Sequence, residues 1–174
     1  MLIKAYVGIG SNIENPLQQI TQAKQALKQL SYNNKFVCSP IYQSTPMGDI
    51  EQPDYLNAVA CINVFQPKNK SPETVALELL DNLQDIEHTQ GRKRQQHWGA
   101  RTLDLDLLVY DNEIIDHPRL TVPHYGFNQD NELGYRNFVI YPLADIAIDL
   151  VLPNGTLISE LYNKCSSKGI RRIE

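Results

Sequence analysis

The stretch from Gly91 to Tyr110, GRKRQQHWGARTLDLDLLVY, contains the residues best suited to chemistry. Apolar and acidic residues alternate over 103–107, which is the period of a half-buried strand. Side chains two apart in a strand point to the same face, so Asp104 and Asp106 are predicted to stand together while the leucines face the core. Like charges on one strand face repel each other unless a positive charge lies between them. Such a pair suits Mg²⁺, which takes one or two carboxylates together with substrate phosphates.

Basic residues lie directly before this strand. Four of the sixteen Lys and Arg residues fall between 92 and 101, in a chain of net charge −4. Each feature also has an ordinary explanation, since an amphipathic strand with one wet face alternates in the same way and basic runs are usually solvated. Together, metal-binding carboxylates and a cationic loop are the parts needed to hold a nucleoside triphosphate with its magnesium. The combination favours a phosphate-handling enzyme.

The composition is that of a globular protein and restricts its partners. At 174 residues the chain is predicted to form one domain, 1–174, with a sizeable core. A sequence pI near 5.6 argues against general nucleic-acid binding, because the basic charge is local. Three widely spaced cysteines form no CxxC pair, which argues against a disulfide framework or a zinc site and favours a cytoplasmic location. No apolar run approaches the roughly twenty residues that span a bilayer, so no membrane association is expected.

Hydrophobic periodicity predicts alternating strands and helices. Strands are predicted at 2–9, 35–43, 55–65 and 102–110, and helices at 16–30, 71–88, 137–146 and 157–165. A turn at Asp111-Asn112 predicts that residues 113–115 return as a hairpin arm, and residues 116–136 are predicted to be irregular. The order indicates a ferredoxin-like βαββαβ sandwich, an α/β (α+β) fold with an antiparallel-containing sheet and with appended strands and helices. Both crossover helices would pack on one face, leaving the opposite face and the loops at the strand ends for ligands.

Several motifs, in the same order along the chain, resemble those of a known family. GIGSN, STPMG, QPDYLNAV, GRKR…WGARTLDLDLL, HPRLTVPHY and RNFVIYPLADIA together resemble 6-hydroxymethyl-7,8-dihydropterin pyrophosphokinase, an enzyme of folate biosynthesis. The resemblance implies an ATP- and Mg²⁺-dependent diphosphokinase that transfers the pyrophosphoryl group of ATP to the hydroxymethyl oxygen of the pterin and releases AMP. It also implies a ferredoxin-like fold and a monomer that uses two magnesium ions.

The resemblance implies roles for particular residues as well. The metal ligands would be Asp104 and Asp106, and the catalytic residues would be Arg92, Arg94, Trp98 and Arg101. Guanidinium groups suit phosphate oxygens, and the nucleotide would contact Gln84, Arg94, Arg101, Arg119, Thr121, His124, Tyr125 and Arg136. A flat pterin gains from stacking, and its pocket would consist of Tyr55, Phe138, Asn57, Ser44, Thr45, Pro46 and Met47. Glu87, close to Gln84 in sequence, could equally be an exposed helix acid.

Three features depart from the family pattern. Ser44 stands where threonine is usual, Ala100 stands where proline is usual, and the segment 126–135 is longer than usual. The alignment of Arg136 and Phe138 depends on that last segment.

Two other classes of protein also fit the residues. Another metal-dependent phosphoryl or nucleotidyl transferase could use the same carboxylates and arginines, although a P-loop kinase is disfavoured because no GxxxxGK[ST] occurs. The non-enzymatic alternative is a regulatory ferredoxin-like module that binds a small molecule. Nucleotide binding without Mg²⁺ dependence would favour the module, and ADP as the product would favour an ordinary kinase.

Overall fold

An antiparallel sheet of six strands forms the centre of the protein, for which a computed structural model describes residues 1–91, 100–128 and 135–174. The sheet consists of β1 (Leu2–Ser11), β2 (Phe36–Cys38), β3 (Tyr42–Ser44), β4 (Tyr55–Phe65), β5 (Asp104–Tyr110) and β8 (Ile170–Arg172). A separate hairpin consists of β6 (Ile115–His117) and β7 (Leu120–Val122). The helices are α1 (Pro16–Leu30), α2 (Pro72–Thr89), α3 (Asn137–Ala147) and α4 (Ile158–Lys164). Within the described residues, no helix is both long and apolar enough to cross a bilayer.

The order of the strands confirms the ferredoxin-like prediction. β5 and β4 flank β1, while β2 and β3 both pair with the other edge of β4. This is the arrangement produced when two β-α-β units place their helices on the same face of one sheet. The appended elements are β8, which extends the sheet beyond β3, together with the β6–β7 hairpin, α3 and α4.

The first two helices begin where the sequence predicts and cover one face of the sheet. Asn15 Oδ1 accepts a hydrogen bond from the Gln18 N–H at the start of α1, and Ser71 Oγ accepts one from the Thr74 N–H at the start of α2. A proline follows each cap, at the position where a missing N–H costs nothing. Burial of each leucine or isoleucine side chain in this core stabilises the folded state by about 1.5–3 kcal/mol relative to leaving it exposed. The core includes Ile20, Leu27, Leu79, Leu83, Leu103, Leu105 and Leu107.

The opposite face of the sheet is partly covered by α3 and α4. The prediction that this face is free for ligands is therefore wrong for the covered part. A second core, formed with α3 and α4, includes Tyr6, Val59, Leu108, Val139, Ile140, Leu143 and Ile158. The register between β1 and β5 shifts between Tyr6 and Val7, and the resulting bulge adds Leu108 to this core. Beyond this core the same face carries Gly8 and Gly10, and it opens there into a cleft.

Residues 113–115 do not return along β5, so the predicted hairpin arm is wrong. Ile115 instead begins β6, which pairs with β7 inside the stretch predicted to be irregular. The outer edge of β5 is already used, because the Leu105 N–H donates to Glu87 Oε1 and the Leu108 carbonyl accepts from the His124 N–H, both at 2.9 Å. A strand that returned from the turn would compete with both of these hydrogen bonds.

The strand predicted over 35–43 is divided into β2 and β3. The break lies at Ser39-Pro40, where proline offers no N–H to the neighbouring strand. Ser39 maintains the connection to β4, since its N–H donates to the Val59 carbonyl and its Oγ accepts from the Val59 N–H. The chain therefore remains attached to β4 across the proline.

Candidate active site

Asp104 and Asp106 share the open part of the second face, as the alternation of Leu and Asp predicts. In the register of the sheet they lie opposite Gly10 and Gly8 of β1. Residues paired across adjacent strands point to the same face, so the two glycines leave space beside the carboxylates. A Cβ added at Gly10 would lie 3.5 Å from Asn57 Oδ1 and 3.9 Å from the Cβ of Asp104, and a larger side chain would grow into the cleft.

The electrostatic environment of Asp106 favours a bound cation. Burial, and then repulsion from Asp104 and Glu87, raises the pKa of Asp106, while Arg101 and Arg136 act in the opposite direction. Arg101 Nη1 donates to Asp104 Oδ2 at 2.5 Å. Carboxylates that disfavour each other's ionised form are stabilised by positive charge placed between them.

Two clefts meet at these carboxylates, and both are lined by Arg101, Asp104, Asp106 and Tyr125. The walls of the first cleft, over the sheet, include Ser44, Thr45, Met47, Gln52, Tyr55, Asn57, Arg136 and Phe138. The second cleft lies toward α2 and the β6–β7 hairpin, and its walls include Gln84, Glu87, Pro118, Arg119, Leu120, Thr121 and His124. A group transferred between ligands in the two clefts would pass the carboxylate pair.

The first cleft combines aromatic side chains with a buried amide. Asn57 Nδ2 donates to Ser44 Oγ at 2.7 Å, and Asn57 Oδ1 is turned toward Gly10 on the floor of the cleft. Tyr55 of β4 and Phe138 of α3 both line the cleft. A flat ring that has N–H donors on its edge suits such a cleft.

Three stacked side chains lie where the clefts join. The ring centroids of His124 and Tyr125 are 4.1 Å apart, and the Cζ atom of Arg136 lies 4.2 Å from the centroid of the Tyr125 ring. His124 Nδ1 accepts from the Gly126 N–H, so the neutral imidazole carries its proton on Nε2, which is 3.8 Å from Asp106 Oδ2. Burial, and then the charge of Arg136, lowers the pKa of His124 to about 4. The ring is therefore neutral at pH 7 and presents an N–H donor.

The structure brings most of the predicted residues to one of the two clefts. Arg119 lines the second cleft and forms an exposed ion pair with Asp81. Arg136, predicted to contact the nucleotide, lines the first cleft instead, and its role stays a prediction. Pro46 is half-buried, between the lining residues Thr45 and Met47. The predictions for Arg92, Arg94 and Trp98 fall outside the described residues.

Asn12 is a buried polar residue whose role at the site was missed by sequence reasoning. Its Oδ1 accepts from the Arg101 N–H at 2.8 Å. Its Nδ2 donates to Gln52 Oε1 and to the Pro53 carbonyl, both at 2.9 Å. One amide thus connects the chain before β5 to the loop beside the first cleft. The available signal was its place in the GIGSN motif.

Glu87 is also buried, with 2% of its surface exposed, so its reading as an exposed helix acid is wrong. Its Oε1 accepts a hydrogen bond from the N–H of Leu105, which is the residue between Asp104 and Asp106. The available signal was helical spacing, because Glu87 follows the buried Leu83 by four residues and shares its face.

Replacing Glu87 by alanine is expected to lower the free energy of unfolding by about 1–3 kcal/mol, because the buried Leu105 N–H loses its acceptor. Glu87→Gln keeps a side-chain oxygen and should retain most of the stability. Urea denaturation of both variants measures the difference.

Glu78→Ala is the matched control on the same helix. Glu78 is exposed and pairs with Lys70 at 2.6 Å, so its loss should change stability by no more than about 1 kcal/mol. If Glu87→Ala were as stable as the unmodified protein, the role assigned to this hydrogen bond would be wrong.

The fold and the site define a class, a ferredoxin-like α/β protein in which two clefts of different chemistry share a carboxylate pair. The chain belongs to the 7,8-dihydro-6-hydroxymethylpterin-pyrophosphokinase (HPPK) family, whose model matches residues 6–148. The family resemblance inferred from the motifs is therefore confirmed.

Two curated relatives, each named 2-amino-4-hydroxy-6-hydroxymethyldihydropteridine pyrophosphokinase, are similar over nearly their whole length. The relative from Haemophilus influenzae is 48% identical over 163 residues, which cover 94% of this chain and 93% of the relative. The relative from Pseudomonas aeruginosa is 43% identical over 173 residues, which cover 99% of this chain and 98% of the relative.

Solved structures show the same fold at low sequence identity. A crystal structure described as HPPK-DHPS in complex with substrates matches with a TM-score of 0.69 and 14% identity, over 98% of this chain and 46% of that chain. An HPPK-DHPS structure from Plasmodium falciparum matches with a TM-score of 0.68 and 13% identity, over 99% of this chain and 49% of that one. This chain thus spans about half the length of those proteins, and the likeness concerns the fold.

Proposed function

We propose that this protein transfers the pyrophosphoryl group of ATP to the hydroxymethyl oxygen of 6-hydroxymethyl-7,8-dihydropterin, giving AMP and the pterin diphosphate in folate biosynthesis. Membership of the pyrophosphokinase family supports the reaction. The observation that carries the proposal is that an aromatic cleft and a polar cleft share Asp104 and Asp106. This arrangement places an acceptor and a donor of the transferred group on either side of one carboxylate pair.

The pterin is assigned to the first cleft. Its ring would stack with Tyr55 and Phe138. Stacking of this kind buries the flat faces of the heterocycle against aromatic rings. Asn57 Oδ1 would accept an N–H from the edge of the ring, since Asn57 Nδ2 already donates to Ser44. Backbone groups of residues 44–47 would complete the pocket.

ATP is assigned to the second cleft. The neutral His124 can donate its Nε2–H to a phosphate oxygen, and the ring does not have to be protonated first. Arg101 lines both clefts and is held by Asp104, so its guanidinium is positioned beside the group that is transferred. We assign Gln84, Arg119 and Thr121 to the nucleotide, and Arg92, Arg94 and Trp98 of the basic sequence before β5 to the triphosphate.

The donor set at the junction fits magnesium. Asp104 and Asp106 supply hard oxygen ligands, and within the described residues no group of three or more His, Cys, Asp or Glu side chains could hold a metal. The remaining ligands of an ion at the pair would be phosphate oxygens and water, which is the coordination that Mg²⁺ prefers. When bound, magnesium would neutralise the triphosphate charge that builds up during transfer, and we propose two such ions.

We also propose that residues 1–174 act as one monomeric domain in the cytoplasm, without a nucleic-acid partner. One sheet carries both cores, so its two faces are not separable into independent units. All three cysteines are free thiols, as is usual in a reducing compartment.

Separation of the nucleotide products by anion-exchange chromatography tests the proposed reaction. Incubation with ATP, Mg²⁺ and 6-hydroxymethyl-7,8-dihydropterin is expected to give AMP, and only when both the pterin and the metal are present. ADP as the product would instead indicate a kinase that transfers a single phosphoryl group. Binding of both ligands without turnover would indicate a regulatory module.

A further inference from the structure

Residues 166–172, which we call the C-terminal clamp, contact one wall of the first cleft through β8. Ile170 pairs with Ser44 in the register of β8 and β3, and the Thr45 N–H donates to the Gly169 carbonyl at 2.9 Å. Arg171 Nη2 adds a hydrogen bond of 2.8 Å to the side chain of Gln43. The short strand that carries Ser44 is therefore held on both of its edges, by β4 and by the clamp.

The same clamp also contacts the opposite wall of the cleft. Asn137 is the first residue of α3 and directly precedes Phe138, which lines the cleft. Asn137 Nδ2 donates to the carbonyl oxygens of Ser166 and Lys168, both at 3.0 Å. Both N–H groups of the amide are thus directed at one turn of the clamp.

Gly169 lies close to Thr45 and has a backbone conformation that favours glycine. Gly169 has a φ of +73°, and a Cβ added there would lie 2.6 Å from Thr45 Oγ1. A side chain at position 169 would therefore displace either the turn or the Thr45 side chain, and the backbone hydrogen bond already joins the two segments.

We propose that the C-terminal clamp sets the spacing between the two walls of the pterin cleft, and that Gly169 and Asn137 are positioning residues for the pterin. The inference rests on the proposed function, because the first cleft is assigned there to the pterin. A shift of β3 would also reach the buried amide of the cleft, since Ser44 Oγ accepts from Asn57. The clamp contacts Ser44 and Thr45, which line the first cleft and are not among the described residues that line the second, so ATP binding should be independent of it.

The test compares Gly169→Ala with Gly155→Ala. Gly155 has a φ of +88°, and a Cβ there would meet none of the described atoms within 4 Å, so both variants place alanine at a positive φ and only Gly169→Ala disturbs Thr45. Gly169→Ala is expected to raise the KM for the pterin about fivefold, the equivalent of one lost hydrogen bond, while kcat and the KM for ATP stay within about twofold. Asn137→Ala should do the same from the other wall.

Hydrogen exchange separates failure of the clamp from failure of the proposed function. The Thr45 amide should exchange faster in Gly169→Ala and in Asn137→Ala than in Gly155→Ala, whether or not the enzyme turns over this pterin. If the unmodified protein makes no pterin diphosphate, the proposed function fails while exchange still tests the clamp. An unchanged pterin KM in both variants, or an equal rise in the KM for ATP, would overturn the proposal.

Discussion

Asp106→Asn and Asp104→Asn are each expected to lower kcat by about a hundredfold to a thousandfold at saturating ATP and Mg²⁺. Both carboxylates line the two clefts, so either change removes a proposed metal ligand and a negative charge at the proposed point of pyrophosphoryl transfer. Asparagine has nearly the same shape, so the loss would reflect charge and not packing. Steady-state kinetics with AMP as the measured product gives the effect.

Asp149→Asn is the matched control, because Asp149 is an exposed aspartate near the end of α3. Its turnover should be unchanged. Without Mg²⁺, the melting temperature of Asp106→Asn should not fall, because repulsion from Asp104 and Glu87 is relieved. Near-normal turnover in either Asp104→Asn or Asp106→Asn would contradict the metal assignment.

Tyr55→Ala and Phe138→Ala are each expected to weaken binding of the pterin by about tenfold to a hundredfold, because each removes one of the aromatic faces offered to the ring. Tyr55→Phe keeps the ring and should bind nearly as well as the unmodified protein. Titration of 6-hydroxymethyl-7,8-dihydropterin by calorimetry measures the dissociation constants. The dissociation constant for ATP should not change, because these side chains line the first cleft and are not among the described residues that line the second.

Tyr32→Ala controls for the loss of an aromatic residue elsewhere on the molecule. Tyr32 is 44% exposed and stacks on Phe65 at the other end of β4, with ring centroids 6.0 Å apart. Pterin binding should be unaffected by its loss. Equal pterin affinity in Tyr55→Ala and Tyr32→Ala would show that the ring binds somewhere else.

Local patterns were sufficient to predict the parts of the fold that depend on neighbours in sequence. The predicted strand 55–65 has the observed bounds of β4. The first two helices begin at Pro16 and Pro72, each directly after its N-cap residue. The Leu/Asp alternation also correctly placed both carboxylates on one face. Each of these features follows from the period of a strand or from the chemistry of a helix cap.

Features that depend on partners distant in sequence could not be predicted in this way. β8 has only three residues and pairs with β3, more than a hundred residues earlier. The burial of Glu87 depends on the position of the outer edge of β5, where it accepts a hydrogen bond. The prediction of a hairpin arm was wrong because that edge already forms hydrogen bonds with Glu87 and His124. The two clefts likewise take walls from elements that are distant in sequence, since α3 contributes to the first and the β6–β7 hairpin to the second.

The measurement that tests the central claim most directly is ³¹P NMR of the reaction with ATP, Mg²⁺ and 6-hydroxymethyl-7,8-dihydropterin. Transfer across the carboxylate pair predicts two mutually coupled phosphorus signals from the pterin diphosphate. The pterin diphosphate and AMP should form in equal amounts. These signals should be absent with Asp106→Asn. A single uncoupled phosphorus signal on the pterin, together with ADP, would contradict pyrophosphoryl transfer.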